Sequence, residues 1–113
     1  MPPRDEIPPG TLDMLILKIL DPNGVKHGFQ IAEAIQATSE EVLQVEEGSL
    51  YPALQRMLIK GWLEAEWGKT PENRRARYYR LTPAGRRQLQ AEMEQYHRVK
   101  RAIGLVLAGE AQS

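Results

Sequence analysis

A mainly helical α+β fold is predicted for this chain, on three observations. Apolar residues recur at helical spacing through residues 12–20, two runs of alternating character flank a turn rich in basic residues, and a long amphipathic stretch follows Thr82-Pro83. Helices, then a basic hairpin, then one long helix is the order of a winged helix-turn-helix with a C-terminal helix left over for dimerisation.

The composition limits what such a chain does. With 113 residues, 42% of them apolar, it forms one small domain that buries a modest share of its surface, so a partner subunit is expected. The absence of cysteine excludes disulfides, thiol nucleophiles and thiolate metal sites. The most apolar window, residues 103–108, is too short to cross a bilayer, and no signal peptide is visible. A cytoplasmic protein without a membrane partner is therefore expected. The formal net charge is zero, but it is segregated. Residues 1–47 hold three basic and nine acidic groups, whereas residues 48–87 hold nine basic and three acidic ones. A polyanion responds to that local positive field more than to the sum.

Residues 1–10 carry four prolines and read as an N-terminal arm. Thr11 suits a helix N-cap, with Asp13 at the positive end of the helix dipole. Leu12, Leu15, Ile16, Ile19 and Leu20 then form an amphipathic stripe, which Asp21-Pro22-Asn23-Gly24 stops. A second helix is expected from about His27 to Thr38, burying Ile31, Ala32 and Ile35 with help from Phe29. Thr38-Ser39-Glu40-Glu41 breaks it, and Val42, Leu43 and Val45 suit a very short strand.

The third helix is bounded by Pro52 and Gly61. Pro52 lacks an N–H and clashes with the carbonyl four residues back, so the helix cannot begin much before Gly48. Leu50, Leu54, Met57 and Leu58 share one face, while Ser49, Pro52, Gln55, Arg56, Ile59 and Lys60 fan across the other. Gly61 suits a left-handed C-terminal cap. In a docked winged helix this helix lies in the major groove, so Ser49, Pro52, Gln55 and Arg56 would lie near base edges. Arg56 is able to fork onto a guanine, and the Tyr51 hydroxyl would reach a phosphate. Lys60 extends the basic face. The alternative is an ordinary solvated surface.

The hairpin strengthens the nucleic-acid reading. Leu63, Ala65 and Trp67 alternate with Glu64 and Glu66, Gly68 to Asn73 supplies the turn, and residues 77–81 return. Lys69, Arg74, Arg75 and Arg77 suit phosphate contacts at a wing tip, against the plainer reading of a solubilising loop. Arg77 alternates with Tyr78 and has the option of facing the domain, and Glu64 and Glu66 are placed to pair with Arg77 or Arg80 across the strands. Trp62, Trp67, Tyr78 and Tyr79 invite a base-stacking platform, but alternation puts Trp67 on the face of Leu63, so a core position is expected.

Thr82-Pro83 combines a capping hydroxyl with proline at the first helical position. The helix it starts is expected to reach about Ala108, roughly 39 Å. Leu89, Met93, Tyr96, Ile103 and Leu107 form a heptad seam interrupted by Lys100 and flanked by Val99 and Val106. These seven apolar residues are the expected dimer interface. The expected organisation is an arm (1–10), a DNA-binding domain (11–81) and a dimerisation helix with its tail (82–113).

Gly48-Ser49-Leu50-Tyr51-Pro52-Ala53-Leu54, Gly61-Trp62-Leu63, Trp67, the run Arg74-Arg75-Ala76-Arg77-Tyr78-Tyr79-Arg80-Leu81-Thr82 and Gly85 together resemble the PadR-type transcriptional regulators, over roughly residues 10–90. His27-Gly28-Phe29-Gln30-Ile31 resembles the segment opening that family's second helix, though His27 and Phe29 replace the usual aromatics. Ala76 interrupts what is often an unbroken basic run. The chain is similar to the short branch, with one C-terminal helix. The resemblance implies a homodimeric repressor of adjacent genes that binds double-stranded DNA at an inverted repeat. By the same resemblance, Met14, Met93 and Tyr96 would line an interface pocket for a small apolar or aromatic effector, against the plainer and favoured reading of a packed seam.

No catalytic residue, metal ligand set or cofactor is expected. His27 and His97 are far apart, Glu40-Glu41 and Glu46-Glu47 have no nucleophilic or basic partner, and there is no phosphate-cradling loop. The alternative to DNA binding is a winged-helix adaptor for protein interactions.

Overall fold

The computed structural model describes residues 5–8 and 10–109. Half of the expected proline-rich arm (residues 1–4 and 9), and the last four residues of the tail, lie outside the described residues. The element order is β1 (Asp5–Glu6), α1 (Leu12–Ile19), β2 (Lys26–His27), α2 (Gly28–Thr38), β3 (Leu43–Gln44), α3 (Glu47–Ile59), β4 (Leu63–Lys69), β5 (Arg75–Leu81) and α4 (Pro83–Leu107). The α+β class and its winged helix-turn-helix arrangement are as expected. β4 and β5 form the hairpin, antiparallel from Leu63↔Leu81 to Lys69↔Arg75, and β1 runs parallel to β3.

α1 is the hub of the core. It packs against α2, α3 and α4, so Met14 and Leu17 are buried along with Ile16 and Leu20. The single stripe read from the sequence is too narrow for a helix covered on three sides. Thr11 does precede α1, but its hydroxyl makes no cap; it donates back to the Pro8 carbonyl at 2.7 Å. In α2, Ile31 and Ile35 are buried, but Phe29 is 64% exposed, contrary to the expected packing. The capping side chain of α2 is His27. Its Nδ1 accepts from the Gln30 amide, and Gln30 Oε1 accepts from the His27 amide, a reciprocal box usually built on serine or threonine.

α3 starts at Glu47, and this moves Pro52 past the first turn. The Gly48 carbonyl then lacks its usual amide donor four residues on. Gly48 is exposed, so that carbonyl is open to solvent rather than buried without a donor, and the helix continues. At the other end Gly61 takes φ +77°. Its amide donates to the Leu58 carbonyl and that of Trp62 to the Met57 carbonyl, both at 3.0 Å, which is the paired closure of a left-handed glycine cap.

That cap is tied directly to α4. The Thr82 hydroxyl donates to the Gly61 carbonyl at 2.6 Å and accepts from the Gly85 amide at 3.0 Å, while the Thr82 amide donates to the Trp62 carbonyl at 3.1 Å. The capping role expected of Thr82 is present and does double duty. Gly85 is forced here: a Cβ would lie 2.1 Å from the Trp62 carbonyl oxygen.

α4 enters the core only through its first turns. Leu89 is fully buried within the protomer, which corrects its assignment to a dimer seam. A heptad pattern records burial but not whose surface does the burying. Met93 is half-buried against the same core. Beyond it the helix leaves the domain, stretching the molecule to 62 × 36 × 22 Å. Tyr96, Val99, Ile103, Val106 and Leu107 are exposed there, Ile103 at 53% and Val106 at 77%.

Glu92, between those two regions, has its carboxyl held above the usual carboxylate range, first by burial and further by nearby Asp13, against the opposing effects of the Gln88 hydrogen bond and Lys60. A raised acid favours the folded state when protonated, so its contribution is fully present below the unfolded pKa and is lost as pH rises through the folded one. Glu92→Gln is therefore expected to raise the Tm at neutral pH, with the difference vanishing in acid. The carboxylate is partly solvated, so the gain is small. Thermal melts across pH check this.

Candidate nucleic-acid interface

The exposed arc of α3 forms a ridge between two grooves. At about 100° per residue, Tyr51 and Gln55 lie on one flank, Gly48, Pro52 and Ile59 on the crest, and Ser49 and Arg56 on the other flank. All seven are exposed, whereas Leu50, Ala53, Leu54 and Met57 are buried beneath. A helix anchored by four buried side chains and presenting six exposed ones is a firmly held edge.

The groove on the Tyr51 side, about 520 Å³, lies between α3 and the β4–β5 hairpin. Its lining includes Tyr51, Gln55, Phe29, Trp67, Arg74, Arg75 and Arg77. Tyr51 stands over Gly28, where any Cβ would come within 2.8 Å of the ring and of its hydroxyl oxygen. Gly28 thus sets the height of the ring, which remains 47% exposed. Tyr79 at the groove floor is buried, which pushes its phenol above the ordinary tyrosine range against the lowering effect of Arg77. It stays neutral at physiological pH, and the cationic rim faces no phenolate.

The hairpin tip is held by its own turn. The Thr70 amide donates to the Arg74 carbonyl, the Asn73 amide to the Thr70 carbonyl (both 2.8 Å), and Asn73 takes φ +63°. The Tyr78 hydroxyl donates to the Lys69 carbonyl at 3.0 Å, bracing the strand below the tip. Lys69, Arg74 and Arg75 are exposed, and Arg77 is half-buried at the groove wall. Arg80, by contrast, is engaged by Glu64 through two contacts of 2.7 and 2.9 Å, the cross-strand pairing the alternation allowed.

Trp67 departs from expectation. It lies on the Leu63 face but is 58% exposed, because the hairpin has run beyond the core by that register. Its ring is covered by the Arg75 guanidinium at 4.3 Å and approached by that of Arg77 at 5.9 Å. Stacking of this kind holds a guanidinium plane upright while leaving its N–H edges outward. Phe29 also faces this groove, and neither aromatic was legible as part of it. The one hint was the resemblance-level oddity of Phe29 beside Gly28.

The second groove, about 430 Å³, is lined by Ser49, Pro52, Arg56, Ile7, Pro8, Leu12 and Val45, among others. The structure thus separates the expected contact residues into two sets, Tyr51 and Gln55 facing the hairpin, Ser49, Pro52 and Arg56 facing α1. Arg56 is engaged by Asp13, a partner the sequence reading had given only to the helix dipole. Lys60 sits 4.7 Å from the Trp62 ring, at the end of α3 and apart from either groove.

A shallower hollow of about 270 Å³ lies between α1 and α4, lined by Gly10, Thr11, Met14, Glu92, Gln95, Tyr96 and Val99. Met14 and Tyr96, two of the three residues expected at an effector pocket, both line it, and Met93 does not. Among the described residues no helix is long and apolar enough to cross a membrane.

Residues 16–91 match the model of the transcriptional regulator PadR-like family, a stretch that runs from the second half of α1 through α2, α3 and the hairpin into the start of α4. An uncharacterized protein of Lysinibacillus sphaericus is 29% identical over 106 residues, covering 94% of this chain and 96% of that one. A transcriptional regulator from Clostridium thermocellum superposes with a TM-score of 0.76 at 28% identity, over 84% of this chain and 91% of that one. Bacillus subtilis PadR in complex with operator DNA shares the fold, with a TM-score of 0.65 at 19% identity, over 74% of this chain and 47% of that one.

Proposed function

The chain belongs to the transcriptional regulator PadR-like family, whose members are regulators rather than enzymes, and on that premise we propose that it is a sequence-specific duplex-DNA-binding regulator. It acts as a homodimeric repressor of adjacent genes at an inverted-repeat operator. The observation that carries this reading is the α3 ridge standing across a groove from Arg74, Arg75 and Arg77 of the hairpin, with exposed Lys69 paired opposite Arg75. The ridge enters the major groove and presents Ser49, Pro52 and Gln55 to base edges, with Arg56 at its side. Tyr51, the hairpin cations and, more peripherally, Lys60 meet the phosphate backbone. The operator complex of the Bacillus subtilis protein is the precedent for this fold on such a target.

The dimer supplies the second half of the reader. The outer half of α4 exposes Tyr96, Val99, Ile103, Val106 and Leu107 along a helix with no core of its own to cover them. A second copy covers that surface most economically, by seam-to-seam packing. The hollow at Met14 and Tyr96 borders it, and a small apolar or aromatic effector seated there would change how α4 sits on α1. Since two α3 helices must lie about one DNA turn apart, roughly 34 Å, that change would weaken operator binding.

The test is a selection of duplexes from a random pool by the full-length protein, followed by mobility shifts. The selected sequences are expected to contain inverted half-sites spaced by one helical turn. Ile103→Asp with Val106→Asp, both far from the core, is expected to give folded monomers by sedimentation that no longer shift the selected duplex. A variant that remained dimeric would place the interface elsewhere.

A further inference from the structure

Arg56 is the one cation on the α3 ridge, and it is not free. Its Nη2 donates to Asp13 Oδ1 at 2.6 Å, a short charge-assisted contact joining α3 to the first turn of α1. The Asp13 side chain keeps 20% of its exposure and that of Arg56 49%, so the carboxylate lies against the fold and the outer edge of the guanidinium faces solvent. Among the described residues this is the single hydrogen bond of the Arg56 side chain, and its remaining guanidinium N–H donors stay available.

Two consequences follow for a helix that reads DNA. The pair is electrically neutral, so it adds little to the sequence-independent attraction of phosphates, which scales with uncompensated positive charge. The guanidinium is also held in place before DNA arrives, which removes part of the ordering cost that a long side chain otherwise meets on binding. The hairpin shows the opposite arrangement: Lys69, Arg74 and Arg75 have no ion pair among the described residues, and they suit backbone contacts that carry no sequence information.

Building on the DNA-reading function proposed above, we propose that Asp13 is a positioning residue for sequence selectivity. It aims the free edge of Arg56 at the acceptor pair of a purine base in the groove beside Ser49 and Pro52. It also cancels the charge that would draw the same side chain to any phosphate. Asp13 itself touches no DNA; it acts through Arg56.

The experiment compares the full-length protein with Asp13→Asn, which keeps the shape and removes the charge. Fluorescence anisotropy is read on the duplex selected by the wild type and on a scrambled duplex of equal length, across a salt series. Asp13→Asn is expected to bind the scrambled duplex several-fold more tightly, with a salt slope steeper by about 0.9. The ratio of selected to scrambled affinity is expected to fall about tenfold, the size of one base contact. In an Arg56→Ala background, Asp13→Asn should leave that ratio unchanged. A wild-type ratio and slope in Asp13→Asn would overturn the proposal, as would a fall in ratio that persists without Arg56. Should Asp13→Asn fail to fold, the exchanged pair Asp13→Arg with Arg56→Asp decides, because it keeps the α1–α3 link but places an acid on the reading edge. It is expected to fold and to lose selectivity; a wild-type ratio in that variant would overturn the proposal too. A wild-type protein that selects no duplex at all would instead count against the DNA-reading function.

Discussion

Gly85→Ala is expected to cost the protein a large part of its stability, about 3 kcal/mol or more. The added methyl would lie 2.1 Å from the Trp62 carbonyl oxygen, and that atom cannot yield, because it also accepts the Thr82 amide. Relieving the clash means pulling the first turn of α4 off the Gly61 cap, which breaks the Thr82 bonds to Gly61 and Gly85 and lifts the fully buried Leu89 from the core. Small domains hold only about 5–15 kcal/mol in total, so the loss is severe. In urea the midpoint should fall by roughly 1–3 M. Gly104→Ala is the contrasting control: its Cβ meets nothing within 4 Å, and alanine in the last turn of α4 should add at most about 0.5–1 kcal/mol. A Gly85→Ala midpoint equal to that of the wild type would refute the account of the α3–α4 junction.

The second large effect is on binding alone. Replacing Lys69, Arg74 and Arg75 together by alanine should weaken duplex DNA binding on the order of 10²- to 10³-fold at 0.1 M salt, and flatten the salt slope by about 0.9 for each phosphate lost. Stability should hardly change. All three side chains are exposed, and the stacking of Arg75 on exposed Trp67 accounts for about 0.5–1 kcal/mol at most. Selectivity between duplexes should survive, since backbone contacts do not discriminate. Anisotropy titrations and a melt separate these outcomes. A triple variant with wild-type affinity and slope would remove the hairpin from the interface.

Much of this was legible in the sequence because it is local. Thr82-Pro83 marked the start of α4, Gly61 the end of α3, and the alternation from Leu63 onward the hairpin, each through chemistry confined to a few residues. What was hidden is long-range. β2 is two residues long and joins the sheet only by pairing Lys26 with Tyr79 and His27 with Tyr78, so no periodicity reveals it. Trp67 obeyed the strand alternation, yet the hairpin outruns the core and leaves its ring outside. Leu89 fitted a heptad seam but is buried by its own protomer. Asp13 and Arg56, 43 residues apart in the chain, each had a plausible local role that concealed the contact between them.

The central claim is that the α3 ridge and the basic hairpin form one surface for reading duplex DNA. Its most direct test is the affinity of the full-length protein for its selected duplex against a scrambled duplex of the same length, measured together near physiological salt. The account predicts a preference on the order of 10³-fold or more. Equal affinities for the two duplexes would contradict it.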